Sequence, residues 1–373
     1  MWYSLIYIVI YRSFLENCIS LTNLYENIWG CRTLIGYDRH GLGYIRQGRG
    51  NNVPNTIILP KIGIEYGICL GKRTEPDLDG FWKYLDKSLA LTEKGLLSRY
   101  NIMKKQSPKA APYMYQNNTI QDADKCIDTV EPALKHNTLG FGFIGVAEMC
   151  VALFGKNHAQ SEKVWKFAYS VIEHIYNYAM EASERNDLNM GCYATPAEGL
   201  CRKALKELRN QYGIIENVTS HEFLTNSMHV PVYQEIGLFD KLRIEAPFTK
   251  FCTSGCITYI ELDSMFINNT ESVEAIIDYA FNELDIPYLA FNFPIDTCLK
   301  CGYQGEFNTT CPCCGSDLIE QLRRVTGYLS TDYHKFNDGK IAEVLERVKH
   351  TRYKDNKIKY ISNKEIKFLE EDI

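Results

Sequence analysis

"RRVTGYLS", residues 323–330, sets a glycine between a β-branched residue and an aromatic ring. Glycine takes positive φ without a steric cost, so the stretch alone reads as a turn. Its neighbours carry more. Upstream lie "CLKC" at 298–301 and "CPCCG" at 311–315. Two Cys-x2-Cys pairs, Cys298/Cys301 and Cys311/Cys314, can set four thiolates tetrahedrally around one zinc ion, with Gly302 and Gly315 at the knuckle turns. Four thiolates leave no open coordination position, so the metal would be structural and would hold a segment too small for a core of its own. Cys313 is an alternative ligand.

The rest of the chain has a different texture. Its 373 residues are 45% hydrophobic and 12% aromatic, enough to bury the core of one large domain or two ordinary ones. A formal charge of -5, with no clustered cationic stripe, argues against a nucleic-acid surface and for small molecules or proteins as partners. Of fourteen cysteines, five crowd into 298–314 and the others are scattered, the usage of a reduced, cytoplasmic protein. The apolar opening "MWYSLIYIVIYRSF" has no basic leader and no cleavage site and is too short to span a bilayer; it reads as a buried segment rather than a membrane anchor.

Residues 76–104, 159–187 and 271–285 repeat apolar positions every three or four residues and read as amphipathic helices. Short apolar runs at 55–64, 256–262 and 286–294 read as strands between them, so the expected class is α/β. At 296 the composition turns to cysteine, glycine and charge. "GFGFIG" at 140–145 spells G-x-G-x-x-G, but it follows "LKHNTL" and lacks the acidic residue about 20 positions on, so a dinucleotide site is not expected. Its glycines could still admit a ligand to the backbone, with the following helix aiming amides at phosphate.

Taken together, "GCRTLIG" (30–36), "GRGNNVPNTIILPKI" (48–62), "KHNTLGFGFIGVAE" (135–148), "YATPAEGL" (193–200), "LTNSMHVPV" (224–232), "SGCITYIEL" (254–262), the cysteine knuckles and "RVTGYLSTDYHKFNDGKIAEVLERVKH" (324–350) resemble, in this order, the C-terminal half of the anaerobic ribonucleoside-triphosphate reductases, a family of glycyl radical enzymes. The resemblance implies the second half of a ten-stranded α/β barrel with its finger loop over 30–295, and a zinc-ribbon and glycyl radical domain over 296–373. Residues 1–29 fit the family pattern poorly.

The implied activity is anaerobic reduction of ribonucleoside triphosphates to deoxyribonucleoside triphosphates for DNA replication. Gly327 would store the radical, installed by a separate iron–sulfur, S-adenosylmethionine-dependent activase. Losing a Cα hydrogen leaves a planar radical delocalised over the flanking amides, and glycine alone has no side chain to obstruct that plane. Cys31 would become the thiyl radical that takes the ribose 3′ hydrogen, with Asn51 and Glu198 as polar helpers in the loss of water. Asn52 competes with Asn51 for that role. The resemblance places Asn137, Thr138, Gly140, Thr195, Pro196, Ser254 and Gly255 in the substrate wall, the amides of Ser254 and Gly255 meeting phosphate. His229 reads as a packed, hydrogen-bonded histidine.

The family's N-terminal part, an ATP-binding regulatory cone and the first half-barrel, has no counterpart here. The expectation is therefore a split enzyme, completed by a complementary N-terminal half, homo-oligomeric when assembled and reduced by formate or a small redox protein. The alternatives are an inactive truncated remnant or a zinc-stabilised interaction module.

Overall fold

A computed structural model describes residues 9–11, 28–29, 32–45, 47–117, 119–263, 269–307, 309–325 and 328–356. Cys31, Gly327 and most of the apolar opening lie outside them. In chain order come β1 (Val9–Tyr11), β2 (Ile28–Trp29), β3 (Thr33–Leu34) and β4 (Asn51–Ile58). Then follow α1 (Leu59–Tyr66), α2 (Leu78–Met103), β5 (Thr138–Ile144), α3 (Val146–Phe154), α4 (Glu162–Asn186) and β6 (Met190–Ala194). The second part holds α5 (Gly199–Tyr212), α6 (Leu238–Thr249), β7 (Thr258–Glu261), α7 (Thr270–Asp278) and β8 (Tyr288–Asn292). Last come β9 (Ile295–Cys298), β10 (Gln304–Gly305), β11 (Ile319–Val325), β12 (Tyr328–Ser330) and α8 (Asp338–Leu345).

The three expected helices form, but the run at 55–64 is a correction. Its strand stops at Ile58, and Leu59–Tyr66 is helical, because Pro60 sits in the first helical turn, where its missing N–H costs nothing. α2 is capped by Asp77, whose carboxylate accepts from the Gly80 amide at 2.8 Å.

Strands β4, β5 and β6 form a parallel sheet, with Asn51 opposite Thr138 and Leu139 opposite Met190. Phe81, Leu85 and Leu89 of α2 and Val171, Ile172 and Ile175 of α4 pack with Phe141 and Phe143 of β5 in one buried core. Each such side chain contributes about 1.5–3 kcal/mol. β5 is buried throughout, whereas β4 carries an exposed Pro54, as an edge strand permits. Among the described residues no strand pairs with the outer side of β4.

A second sheet runs β1–β8–β7, with β7 and β8 parallel and Val9 opposite Ala290. Leu242 and Ala246 of α6 and Ile277 of α7 pack with Ile260, Leu289 and Phe291 of its strands. The third sheet, β10–β9–β11–β12, is antiparallel throughout. Among the described residues no helix is long and apolar enough to cross a membrane.

Candidate functional site

The cysteine knuckles fold as a matched pair. The Gly302 amide donates to Cys298 O and the Gly315 amide to Cys311 O, each at 2.9 Å. Both glycines have positive φ, +75° and +69°, so each knuckle needs a residue that adopts that backbone freely. The sulfurs of Cys298, Cys301, Cys311 and Cys314 lie within 4.8 Å of one another, with two pairs at 3.6 Å. That separation is far beyond a disulfide bond. It is close to the ~3.8 Å tetrahedron edge that follows from Zn–S bonds of about 2.3 Å. The amides of Cys301 and Lys300 aimed at the Cys298 sulfur lower its pKa, while the crowding of sulfurs raises those of Cys301 and Cys314, so without a metal the four thiols share their protons. Cys313 is exposed and stands outside the cluster.

β9 carries Cys298 and pairs with β11, Cys298 lying opposite Ile319. β11 runs on to Val325, which pairs with Tyr328 of β12. Only residues 326 and 327 join the two strands.

Tyr328, the residue after Gly327, donates its hydroxyl to Glu198 Oε2 at 2.6 Å. Arg32, the residue after Cys31, donates Nη1 to Thr195 O at 3.4 Å and to Ser227 Oγ at 3.0 Å. The chain neighbours of Cys31 and Gly327 thus both bond to the four-residue loop that leaves β6. Arg32 is buried and has φ of +81°, a left-handed conformation that non-glycine residues adopt at a cost. The loop is anchored by Thr195, whose Oγ1 lies 3.0 Å from Thr56 Oγ1. Gly142 makes room for that bond, since a Cβ there would lie 2.3 Å from Thr195 Oγ1. Ligands of parallel sheets bind beyond the carboxyl ends of the strands, and this loop occupies that end of β6.

Asn51, Asn137 and Thr138 stand at the starts of β4 and β5, the opposite end, whereas the Gly255 carbonyl accepts from the Ala194 amide at 3.0 Å beside the Arg32 segment. Asn51 donates Nδ2 to Ser254 O at 3.2 Å and faces Thr138 in register. Asn51 Oδ1, Thr138 Oγ1 and Ser254 Oγ are all buried without a hydrogen-bond partner among the described residues. Three adjacent unsatisfied polar atoms are what a polar ligand or water would complete. Thr138 and Ser254 also line an open cleft of about 720 Å³ with Leu34, Tyr37 and Arg39. Asn52 is engaged, accepting from Asn137 Nδ2 at 2.8 Å and donating to Leu134 O at 3.3 Å. Asn137 in turn accepts from the Gly50 amide, so Asn52 and Asn137 tie the starts of β4 and β5. Roughly 17 Å of strand, at about 3.3 Å per residue, separates Asn51 and Thr138 from Thr195.

Two expectations need correction. The amides of Ser254 and Gly255 donate to Cys192 O and Cys252 O, at 2.8 and 2.9 Å, and are not available to phosphate. What Gly255 provides is space, because a Cβ there would lie 1.7 Å from Arg32 O. Gly140 and Gly142 of "GFGFIG" lie within β5, Gly140 opposite Pro54, and the amides of Gly145 and Val146 that open α3 donate to Thr225 O and Ser227 O. Pro196 is half-buried in the loop after β6. His229 is packed, its Nδ1 3.1 Å from Glu245 Oε2, and burial lowers its pKa. Arg32, Ser227 and Tyr328 were not singled out from the sequence. Their positions inside "GCRT", "NSMH" and "TGY" were the signal.

The model of the anaerobic ribonucleoside-triphosphate reductase family matches residues 8–350. The anaerobic ribonucleoside-triphosphate reductase of Salmonella typhimurium is 30% identical over 348 residues, 90% of this chain and 47% of that protein. The chain therefore spans about half the length of the curated relatives it matches. A solved anaerobic ribonucleotide reductase superposes with a TM-score of 0.63 at 21% identity, over 83% of this chain and 46% of that one. A glycyl radical enzyme from Archaeoglobus fulgidus does so with a TM-score of 0.60 at 12% identity, over 91% and 49%. Those two likenesses show a shared mixed α/β fold.

Proposed function

Because this chain belongs to the anaerobic ribonucleoside-triphosphate reductase family, we propose that it supplies the radical-bearing half of an enzyme that reduces ribonucleoside triphosphates to deoxyribonucleoside triphosphates. The observation that carries the reading is the shared loop, with Arg32 held to Thr195 O and Tyr328 held to Glu198. Two residues that must exchange a hydrogen atom have their chain neighbours fastened to one short segment. Preorganisation of that kind is how a fold holds reacting atoms in line.

In this reading the activase takes a hydrogen atom from Gly327 Cα. The glycyl radical then takes the Cys31 thiol hydrogen, and the thiyl radical takes the ribose 3′ hydrogen. The 2′ hydroxyl departs as water once protonated, and formate or a small redox protein supplies the two electrons of net reduction. Glu198 is suited to move a proton at the sugar. The unsatisfied Oδ1 of Asn51 is suited to accept a hydrogen bond from a nucleotide. Zinc on Cys298, Cys301, Cys311 and Cys314 would act as a structural cross-link between the knuckles. The other half-barrel, beyond the half-length this chain spans, completes the wall and the homo-oligomer.

The test combines the chain with that complementary half and the activase without oxygen, and measures conversion of a ribonucleoside triphosphate. Deoxyribonucleotide should form with the native chain and not with Cys31→Ser. Product from the serine variant, or none from a fully radical-loaded native complex, overturns the reading.

A further inference from the structure

Tyr259 stands on β7 where the Arg32 segment and the β11–β12 hairpin come together. The Arg32 guanidinium lies over its ring at 5.3 Å from the centroid, and the Arg324 guanidinium lies over the same ring at 5.6 Å. One arginine adjoins Cys31, and the other stands on β11, three positions before Gly327. Two cations would repel each other, but the negative face of an aromatic ring attracts both.

The strand grips the hairpin a second time. Glu261, two residues on and so on the same face of β7, lies 3.5 Å from Arg347 Nε. Arg347 donates Nη1 to the Arg324 carbonyl at 2.6 Å and also pairs with Glu343 at 3.5 Å. On the other side Arg32 Nη2 donates to the Tyr259 hydroxyl at 3.5 Å, and His229 meets the ring edge-on at 5.6 Å.

We propose that Tyr259 is a positioning residue that fastens the Arg32 segment to the β11–β12 hairpin and so sets the path of the hydrogen atom between Cys31 and Gly327. The inference rests on the roles given to those two residues above. It assigns the work to the ring, because both guanidiniums lie over it. Phenylalanine keeps that face; leucine keeps only bulk.

The assembled, activase-treated enzyme with Tyr259→Phe should turn over within roughly threefold of the native enzyme. Tyr259→Leu should lose at least tenfold in kcat, toward the ~100-fold that a 1 Å misplacement costs, with KM, zinc content and glycyl radical yield unchanged. A merely structural role would lower radical yield and zinc together. Hydrogen exchange on the full chain provides a readout independent of activity. In Tyr259→Leu the amides of 32–34 and of 328–330 should lose protection together, and in Tyr259→Phe they should keep it. Native turnover by Tyr259→Leu, or loosening of one segment without the other, overturns the proposal. A native complex that makes no product removes the functional reading instead, and the exchange result still decides whether the tyrosine couples the two segments.

Discussion

Gly255 shows how one missing side chain lets the site exist. The Arg32 carbonyl passes so close that an added Cβ would overlap it, and φ of +124° is strained for any other residue. Gly255→Ala should therefore destabilise the chain by roughly 3 kcal/mol and lower turnover, while zinc content stays native. Denaturant unfolding and metal analysis would check this, and an unchanged unfolding midpoint would refute it.

His158 makes a prediction of a different kind. Its Nε2 donates to Met228 O at 3.0 Å, while Nδ1 is buried without a partner among the described residues. Burial lowers its pKa from 6.5 to about 4. Protonation would bury an unpaired N–H. A histidine with a depressed folded pKa contributes stability that is complete above the unfolded value and is lost as pH falls from 6.5 toward 4. The cost at pH 5 is about 2 kcal/mol for this one group. The Tm should fall as pH drops from 7 to 5, and less steeply in His158→Gln.

At this scale the sequence carried spacing but not partnership. The four knuckle cysteines were legible because their ligand geometry is local. Which asparagine of Asn51 and Asn52 is engaged was not, since Asn137 and Leu134 lie far along the chain. Arg32 was hidden for the same reason, its partners being Thr195, Ser227 and Tyr259.

Among elements, β11 joins the cysteine cluster to the hairpin, pairing with β9 on one side and β12 on the other. Restraint at the knuckles is thereby passed along one strand. Chelating the metal, or replacing Cys298 and Cys311 by serine, should raise hydrogen exchange at 319–325 and 328–330 while β4–β5–β6 stays protected. Native protection of the hairpin after complete metal loss would contradict the arrangement. The long helices were readable because their 3.6-residue period runs over many turns. α1 was not, because a short apolar run fits strand and helix alike and only the place of Pro60 in the first turn distinguishes them. β5 was obscured by its glycines, which serve close packing: Gly142 sits under the Thr56–Thr195 bond.

At the scale of the whole molecule, the parallel sheet stops at β4, a strand of eight residues whose outer side pairs with no other strand among the described residues. Pro54 blunts that edge without closing it. The chain on its own should self-associate, and adding the complementary half should convert it to a defined complex, as sedimentation would show. A stable monomer that reduces nucleotides unaided would contradict this.

Electron paramagnetic resonance on that complex, treated with activase without oxygen, reaches the central claim most directly. The native chain should give a doublet from the single hydrogen left on Gly327 Cα. Gly327→Ala should give none, and Cys31→Ser should keep the doublet yet form no deoxyribonucleotide. A doublet that survives in Gly327→Ala, or deoxyribonucleotide made by Cys31→Ser, would contradict the account.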